Sequence, residues 1–316
     1  MIIVTGGAGF IGSNLVKSLN FNEYKNIIIV DNVEDNIEKK NNLNGCLYLD
    51  YINKKKFISK IKNSSFNKNI KAIFHLGACS STINFDNDYM MHNNLEYSKI
   101  LFNWCQINRI PFIYASSASV YGIKNSESKE GDEYNPMNPY AKSKMLFDLF
   151  VSENLPKLKS QVTGLRYFNV YGPHENHKTN MSSPLLTFRN QIKKSGIIKI
   201  FDEYAGYEKG EHSRDFISVD DCVSVNLFFF RNPTNGIFNV GCGKSHTFNF
   251  VANCIIEYYK LGNIEYIDFP NILKNSYQTF TKANLNKLRN AGYKKYFINL
   301  KDGIFNYMSY LDSLDK

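Results

Sequence analysis

Through the first half of the chain, short β-branched runs alternate with longer stretches in which apolar residues recur every three or four positions. That alternation predicts strands and helices in βαβ succession. The predicted strands are MIIVTG at 1–6, NIIIVDN at 26–32, IKAIFHLGA at 70–78, PFIYASSASVYG at 111–122 and VTGLRYFNVYG at 162–172, with helices between them, notably over 91–108 and 140–154. Strands with so continuous an apolar core are buried on both faces, which implies a parallel sheet covered by helices on each side. Past residue 172 the rhythm loosens into a helix around 184–195, a strand IIKIF at 197–201, a helix after SVDDC and another around 248–261. No repeat or low-complexity linker divides the chain. The expected class is α/β, a doubly wound parallel sheet over 1–168, to which segments near 214–240 return, with a smaller C-terminal substrate-binding lobe mainly over 169–316.

Composition narrows the class without changing it. With 316 residues, 43% hydrophobic and 21% charged, the chain is long enough for a large core and unlike a disordered one. No apolar run approaches the roughly 20 residues that cross a bilayer, so no membrane partner is expected. The start MIIVTGGAGF has no basic leader and turns to glycine at once, so it reads as a buried strand and makes the cytoplasm the expected compartment. Cys46, Cys79, Cys105, Cys222, Cys242 and Cys254 are scattered, with no Cys-x-x-Cys pair, and predict neither a zinc site nor a disulfide framework. The net charge of +9 is spread along the chain rather than gathered in a stripe. It points away from nucleic acid and toward a field that suits a small anionic substrate.

The segment VTGGAGFIGSN places Gly6, Gly9 and Gly12 between a strand and a helix. In a dinucleotide site one such glycine makes the tight turn, one lets the backbone approach the pyrophosphate, and one lets helix and strand pack closely, while the helix N-terminus offers free N–H groups. Asp31 closes the next strand 31 − 12 = 19 residues later, the position from which a carboxylate accepts hydrogen bonds from an adenosine ribose. Lys39, Lys40 and Lys54 follow. They are either solvated surface charges or groups that reach a ribose 2′-phosphate.

The segment NPYAKSKMLFD sets Tyr140 and Lys144 at i and i+4, on one face of a helix. An ammonium beside a phenol favours the phenolate and lowers a pKa that is ordinarily about 10. Ser116 and Ser117 stand at the carboxyl end of the strand YASSASVYG, where ligands of open α/β sheets bind. The alternative is a surface Tyr/Lys pair beside a serine-rich loop. Further on, YGPHENHKTNMSS gathers His174, His177 and Lys178 in a turn. Lys178 is there either a proton-transfer group, a phosphate contact or a surface charge, and the two histidines read as structural or surface residues.

The start TGGAGFIG, the strand end SSASVYG, Tyr140-x-x-x-Lys144 and RYFNVYGP resemble the extended short-chain dehydrogenase/reductase family, a Rossmann-type fold whose members act mainly on nucleotide sugars. IFHLGACSST, YMMHNN, RYFNVYGPHENHK, FNVGCGKSHTF and YQTFTKANL carry the likeness further, to the ADP-glyceromanno-heptose 6-epimerases of lipopolysaccharide synthesis. The resemblance implies inversion of carbon six of an ADP-heptose by transient oxidation. It makes Tyr140 and Lys178 the proton-transfer groups for two oxygen positions, and Lys144 and Ser117 their partners. Cofactor contacts are implied at Gly6, Gly9, Phe10, Ile11, Gly12, Asp31, Asn32, Lys39, Lys54, Leu76, Gly77, Ala78, Cys79, Ser80, Asn93, Lys144 and Val170. The matching lysines favour NADP, with NAD as the alternative. Substrate contacts are implied at Asn169, Asn180, Phe201, Arg214 and Tyr277, with the Arg214 fork suited to a diphosphate. No metal is implied, and the assembly is expected to be a homo-oligomer, a pentamer by the same resemblance. The loop DEYAGYEKGEHS before Arg214 departs from the family in length.

Three rivals stay in view. A 4-epimerase acting on another nucleotide sugar is the nearest of them, and Lys178 with its surrounding motif speaks against it. A 4,6-dehydratase wants an acidic pair after the strand-end hydroxyl, where this chain has Ala118 and Ser119. A dinucleotide-sensing regulator of the same fold would have no use for the Tyr140/Lys144 pair.

Overall fold

The computed structural model describes residues 1–33, 36–66, 69–81, 86–274 and 277–315, the side chains of Thr179, Asn180 and Ile272 excepted. The chain opens with β1 (Ile2–Thr5), α1 (Phe10–Phe21), β2 (Ile27–Asp31), α2 (Ile37–Asn41), β3 (Asp50–Asn53), α3 (Lys54–Lys62) and β4 (Ala72–His75). Next come α4 (Asn87–Met90), a π-helical turn at Met91–Glu96, α5 (Tyr97–Ile107), β5 (Phe112–Ser117), α6 (Pro139–Asn154), β6 (Val162–Tyr167) and β7 (Asn169–Tyr171). The remainder comprises α7 (Pro184–Ser195), β8 (Ile197–Phe201), β9 (Ser213–Arg214), β10 (Phe216–Ser218), α8 (Val219–Arg231), β11 (Gly236–Val240), β12 (His246–Thr247), α9 (Phe248–Tyr259), β13 (Asn263–Ile267), α10 (Asn286–Asn290) and α11 (Leu300–Leu314).

Seven strands form one parallel sheet in the order β11-β6-β5-β4-β1-β2-β3. Every residue of β1, β2, β4, β6 and β11 is buried, which is why β1 and β2 run almost wholly apolar without alternation. Two cores sandwich the sheet. One joins Val4, Leu15, Ile29 and Leu165 to Val225 and Phe229 of α8; the other joins Ile3, Ile28, Phe57, Leu101, Phe112 and Phe147. The later segments β11 and α8 thus lie with the sheet, while α7, β8, α9 and α11 share a separate core around Leu185, Ile198, Ile255 and Ile304.

Some boundaries differ from the sequence reading, for local reasons. β5 stops at Ser117 because the Ser117 side chain caps a 3₁₀ turn over Ala118–Tyr121. The single helix expected over 91–108 is interrupted by the π turn that carries Asn93 and Asn94, a deformation that recurs at functional sites. β3 went unpredicted because it is a four-residue edge strand, DYIN, with one buried residue. Helix ends follow their caps: Asn138 accepts from the Ala141 N–H ahead of Pro139, and Ser183 caps α7, which ends at Gly196 in the left-handed region. All six cysteines are free, and among the described residues no helix is long and apolar enough to cross a membrane.

Candidate active site

The sheet order reverses between β1 and β4, and a cleft of about 450 Å³ opens there, over the carboxyl ends of the strands. Its floor is the turn from β1 to α1. Gly6 has φ +68°, and a Cβ on it would sit 2.6 Å from the Gly77 nitrogen; a Cβ on Gly12 would sit 2.0 Å from the Gly6 carbonyl oxygen. Both positions therefore demand glycine. No side chain caps α1 at Gly9, and its first turn holds no acid, so the helix N-terminus faces the cleft with free N–H groups and its positive dipole end. Such a cradle fits a dinucleotide pyrophosphate. Phe10, Ile11 and Gly12 line the floor with Leu76, Gly77, Ala78, Cys79 and Ser80 from the end of β4.

A charged corner closes one end of the cleft. Asp31 accepts from Ala8 N–H at 2.9 Å and Asn32 N–H at 2.7 Å, and pairs with the Lys39 ammonium. Lys54 donates to Asn93 Oδ1 at 2.7 Å. Burial, with Lys39 nearby, lowers the Lys54 pKa against the pull of Asp31. Two ammonium groups thus stand beside one carboxylate, leaving the corner net positive. Lys40 is exposed and does not line the cleft.

At the other end, α6 presents Tyr140 and Lys144 to the cleft together with Ser117 from β5. The buried Lys144 donates to the Ala115 carbonyl at 2.7 Å, with its nitrogen 6.0 Å from the centre of the Tyr140 ring. The expected lowering of the phenol is not what the geometry gives: burial raises the Tyr140 pKa, only partly offset by a hydrogen bond with Ser117. Lys144 itself is lowered to about 8 by burial, against the pull of Asp148. That Asp148, four residues past Lys144 in α6, escaped the sequence reading. It is fully buried and accepts from Tyr114 Oη at 2.9 Å, Ser116 Oγ at 2.8 Å and Arg166 Nε at 2.8 Å. The i, i+4, i+8 spacing of Tyr140, Lys144 and Asp148 was the available signal.

Lys178 reaches the same cleft from a 3₁₀ turn over Asn176–Met181, its ammonium 5.3 Å above the Phe10 ring. Burial lowers its pKa and Glu175 opposes that. The loop is fastened to α1 through His174, a non-glycine residue at φ 72°. Ser13 Oγ donates to the Gly9 carbonyl at 2.7 Å and lies 2.8 Å from His174 Nδ1; Lys17 Nζ lies 2.8 Å from Nε2. An ammonium can only donate, so His174 is neutral with its proton on Nδ1. Burial, with Lys17 and His177, holds it at about 4. His177 lines the cleft, its Nδ1 3.2 Å from Asn42 Nδ2.

Phe201, Arg214 and Tyr277 come together, but beside the cleft rather than in its lining. The Arg214 guanidinium lies 4.7 Å from the Tyr277 ring centre, and Phe201 meets Tyr277 edge-on at 6.1 Å. Arg214 is buried, and among the described residues no acid pairs with it; burial lowers its pKa, with Tyr277 opposing. The adjacent Asp215 carboxylate serves the Cys242, Gly243 and Ala283 N–H groups instead, and burial raises it to about 7 against those bonds. Sequence reasoning missed the aromatic surround: Tyr204 stacks on Phe269 at 3.9 Å, and His212 packs on Tyr277 at 5.3 Å. Asn169 sits on β7, accepting from Thr281 Oγ1 at 3.0 Å, next to Val170 in the cleft lining. The Asn180 side chain lies outside the described residues.

This arrangement has known parallels. A relative from Alkalilimnicola ehrlichii, an ADP-L-glycero-D-manno-heptose-6-epimerase, is 47% identical over 309 residues, spanning 98% of this chain and 96% of its own. Among solved structures, the ADP-L-glycero-D-manno-heptose-6-epimerase of Helicobacter pylori superposes with a TM-score of 0.86 at 26% identity, over 99% of this chain and 96% of its own. A UDP-N-acetylglucosamine 4-epimerase from Methanobrevibacter ruminantium, solved with UDP-N-acetylmuramic acid, gives 0.83 at 26% identity over 99% and 98%. The NAD dependent epimerase/dehydratase family model matches residues 2–241, the span holding the glycine-floored cleft, the Tyr140/Lys144 helix and the Lys178 loop, and the chain belongs to that family.

Proposed function

We propose that the chain inverts carbon six of ADP-D-glycero-D-manno-heptose to the L-glycero form, using NADP. The observation that carries this reading is that Lys178 lines the same cleft as Tyr140, from a separate element. A nicotinamide dinucleotide held by the glycine floor and the Asp31 corner would supply the redox chemistry, reversible hydride transfer at carbon six by way of an aldehyde. The chain's residues manage the oxygen. Rotation of the aldehyde about its bond to the ring moves that oxygen, so one proton-transfer group cannot serve both positions. Tyr140, kept protonated by burial, serves one position and Lys178, lowered by burial, the other.

The positive corner supports NADP over NAD. Lys39 neutralises Asp31, which would otherwise repel a 2′-phosphate, and Lys54 adds a second cation. Arg214, a buried cation without a carboxylate partner, fits the substrate diphosphate. The family resemblance adds a cytoplasmic homo-oligomer, a pentamer, that supplies heptose for the lipopolysaccharide core. The deciding experiment is incubation with ADP-D-glycero-D-manno-heptose, following carbon six by NMR. Interconversion of the two epimers is expected; inversion of carbon four of a UDP-sugar instead would replace this reading with the 4-epimerase one.

A further inference from the structure

We infer that Glu175 is the positioning residue of Lys178, closing the loop between β7 and α7 so that the turn carrying the lysine is held at the mouth of the cleft. This rests on the reading of Lys178 as a proton-transfer group. Glu175 is 1% exposed. Its carboxylate accepts from Gly172 N–H at 3.2 Å at one end of the loop, and from Ser183 N–H at 2.5 Å and Ser183 Oγ at 2.7 Å at the other. Its carbonyl accepts from Lys178 N–H at 2.9 Å. One residue thus ties both ends of the loop and the backbone of the lysine.

A neutral side chain would suffice if capping were all that was needed, and Ser183 already caps α7. Burying a carboxylate is costly unless its charge is used. Here the charge opposes the effect of burial on Lys178. Among the described residues Lys178 forms no ion pair, and Glu175 is the acid that acts on it. Compensation without contact leaves the ammonium free to meet a substrate oxygen. The other groups around this pair are Tyr307 of α11, which feels the Glu175 charge, and His177, which feels Lys178. On the far side of the loop, His174 anchors to Ser13 and Lys17 of α1, so the turn is referenced to the helix that cradles the dinucleotide.

The test uses Glu175→Gln as cofactor-loaded protein, beside Lys178→Met. Both are given an ADP-linked sugar bearing an aldehyde at its exocyclic carbon and deuterated reduced cofactor, and the labelled face is read by NMR. Glu175→Gln is expected to lower kcat about 10–100-fold with KM changed less than about threefold. The loss should fall on the face that Lys178→Met also loses, leaving the Tyr140 face intact. Without the Glu175 charge, the limb of the pH profile that needs protonated Lys178 should move to lower pH. Ser183→Ala, which removes one of the clasp's donors, should give a smaller loss on the same face, and it carries the test if Glu175→Gln does not fold. Equal loss of both faces, or an unchanged kcat and pH limb, overturns the inference. If Lys178→Met still labels both faces, the reading of Lys178 fails first and takes this one with it; if Lys178→Met loses one face and Glu175→Gln none, only the inference falls.

Discussion

The floor of the cleft and the aromatic cluster beside it are built by different means. The floor is backbone: Gly6 and Gly12 leave room that any Cβ would fill, and an uncapped helix end supplies the N–H groups. The cluster is side chain. Arg214, Tyr277, Phe201 and Phe269 arrive from separate segments, and among the described residues no acid pairs with the guanidinium, which sits among aromatic rings. A backbone floor suits what every dinucleotide shares, whereas a side-chain cluster can be remade for one substrate. The two residues proposed for proton transfer line the cleft from unlike elements: Tyr140 on the regular helix α6, Lys178 on a turn whose loop Glu175 clasps and His174 anchors.

The largest effect should come at the first of these. Tyr140→Phe keeps the ring and removes the proton, and turnover is expected to fall roughly 10²–10⁴-fold while the protein stays folded and cofactor-loaded. Carbon-six NMR of the epimer mixture measures the first, thermal unfolding and nicotinamide release on denaturation the second. Loss of cofactor together with activity would place Tyr140 in the floor rather than in the chemistry.

A second substitution tests the cluster alone. Arg214→Met removes a buried charge with which no carboxylate among the described residues pairs. Melting temperature should rise by about 1–3 °C, while KM for the nucleotide sugar rises about 10–100-fold. Cofactor content should not change. A fall in melting temperature with unchanged KM would make Arg214 a packing residue.

How far each region could be read in advance follows from the same contrast. The glycine spacing and Asp31 are local features, legible because strand, turn and helix are contiguous in the chain. The pairing of Phe201 with Tyr277 joins residues far apart in the chain, on β8 and beyond β13, and has no local signature; only the family resemblance reached it. Tyr204, His212 and Phe269 were missed because their contacts are made by long-range packing, two of them through the loop whose length departs from the family. Asp148 showed a spacing, but its value depends on Arg166 and Ser116, which come from different strands. The acid-base properties also needed the structure: the Lys144 spacing predicts a lowered phenol, whereas burial raises it and the opposing effect comes from the Ser117 hydrogen bond.

A smaller effect should appear at the charged corner. Lys39→Ala removes the cation paired with Asp31 and leaves Lys54 beside it, so a 2′-phosphate meets a corner that is no longer net positive. Preference for NADP over NAD is expected to fall about tenfold, the scale of one charge-assisted contact, as measured by titrating each cofactor into stripped protein. An unchanged ratio would give the selectivity to Lys54.

The smallest effect concerns how firmly the Lys178 turn is fastened to the floor. His174 is neutral in the folded protein, held at about 4 by burial and the neighbouring Lys17 and His177, against an ordinary value near 6.5. Between those values the unfolded chain binds a proton that the folded one refuses, so stability falls as pH drops. The contribution is fully present above about 6.5 and is lost progressively down to about 4. His177, held at about 4, and His75, at about 3, act in the same direction, so the whole curve is shared. Replacing His174 by Asn suits the left-handed backbone there and removes one titrating group. Melting temperature of His174→Asn should therefore start lower at neutral pH, because the Lys17 contact is lost, and decline less steeply than the parent between about pH 6.5 and 4. A parallel decline would mean that His174 does not titrate against folding, and that the turn is held instead by Asn14 of α1 through the Pro173 carbonyl and by Asn42, after α2, through the His174 carbonyl.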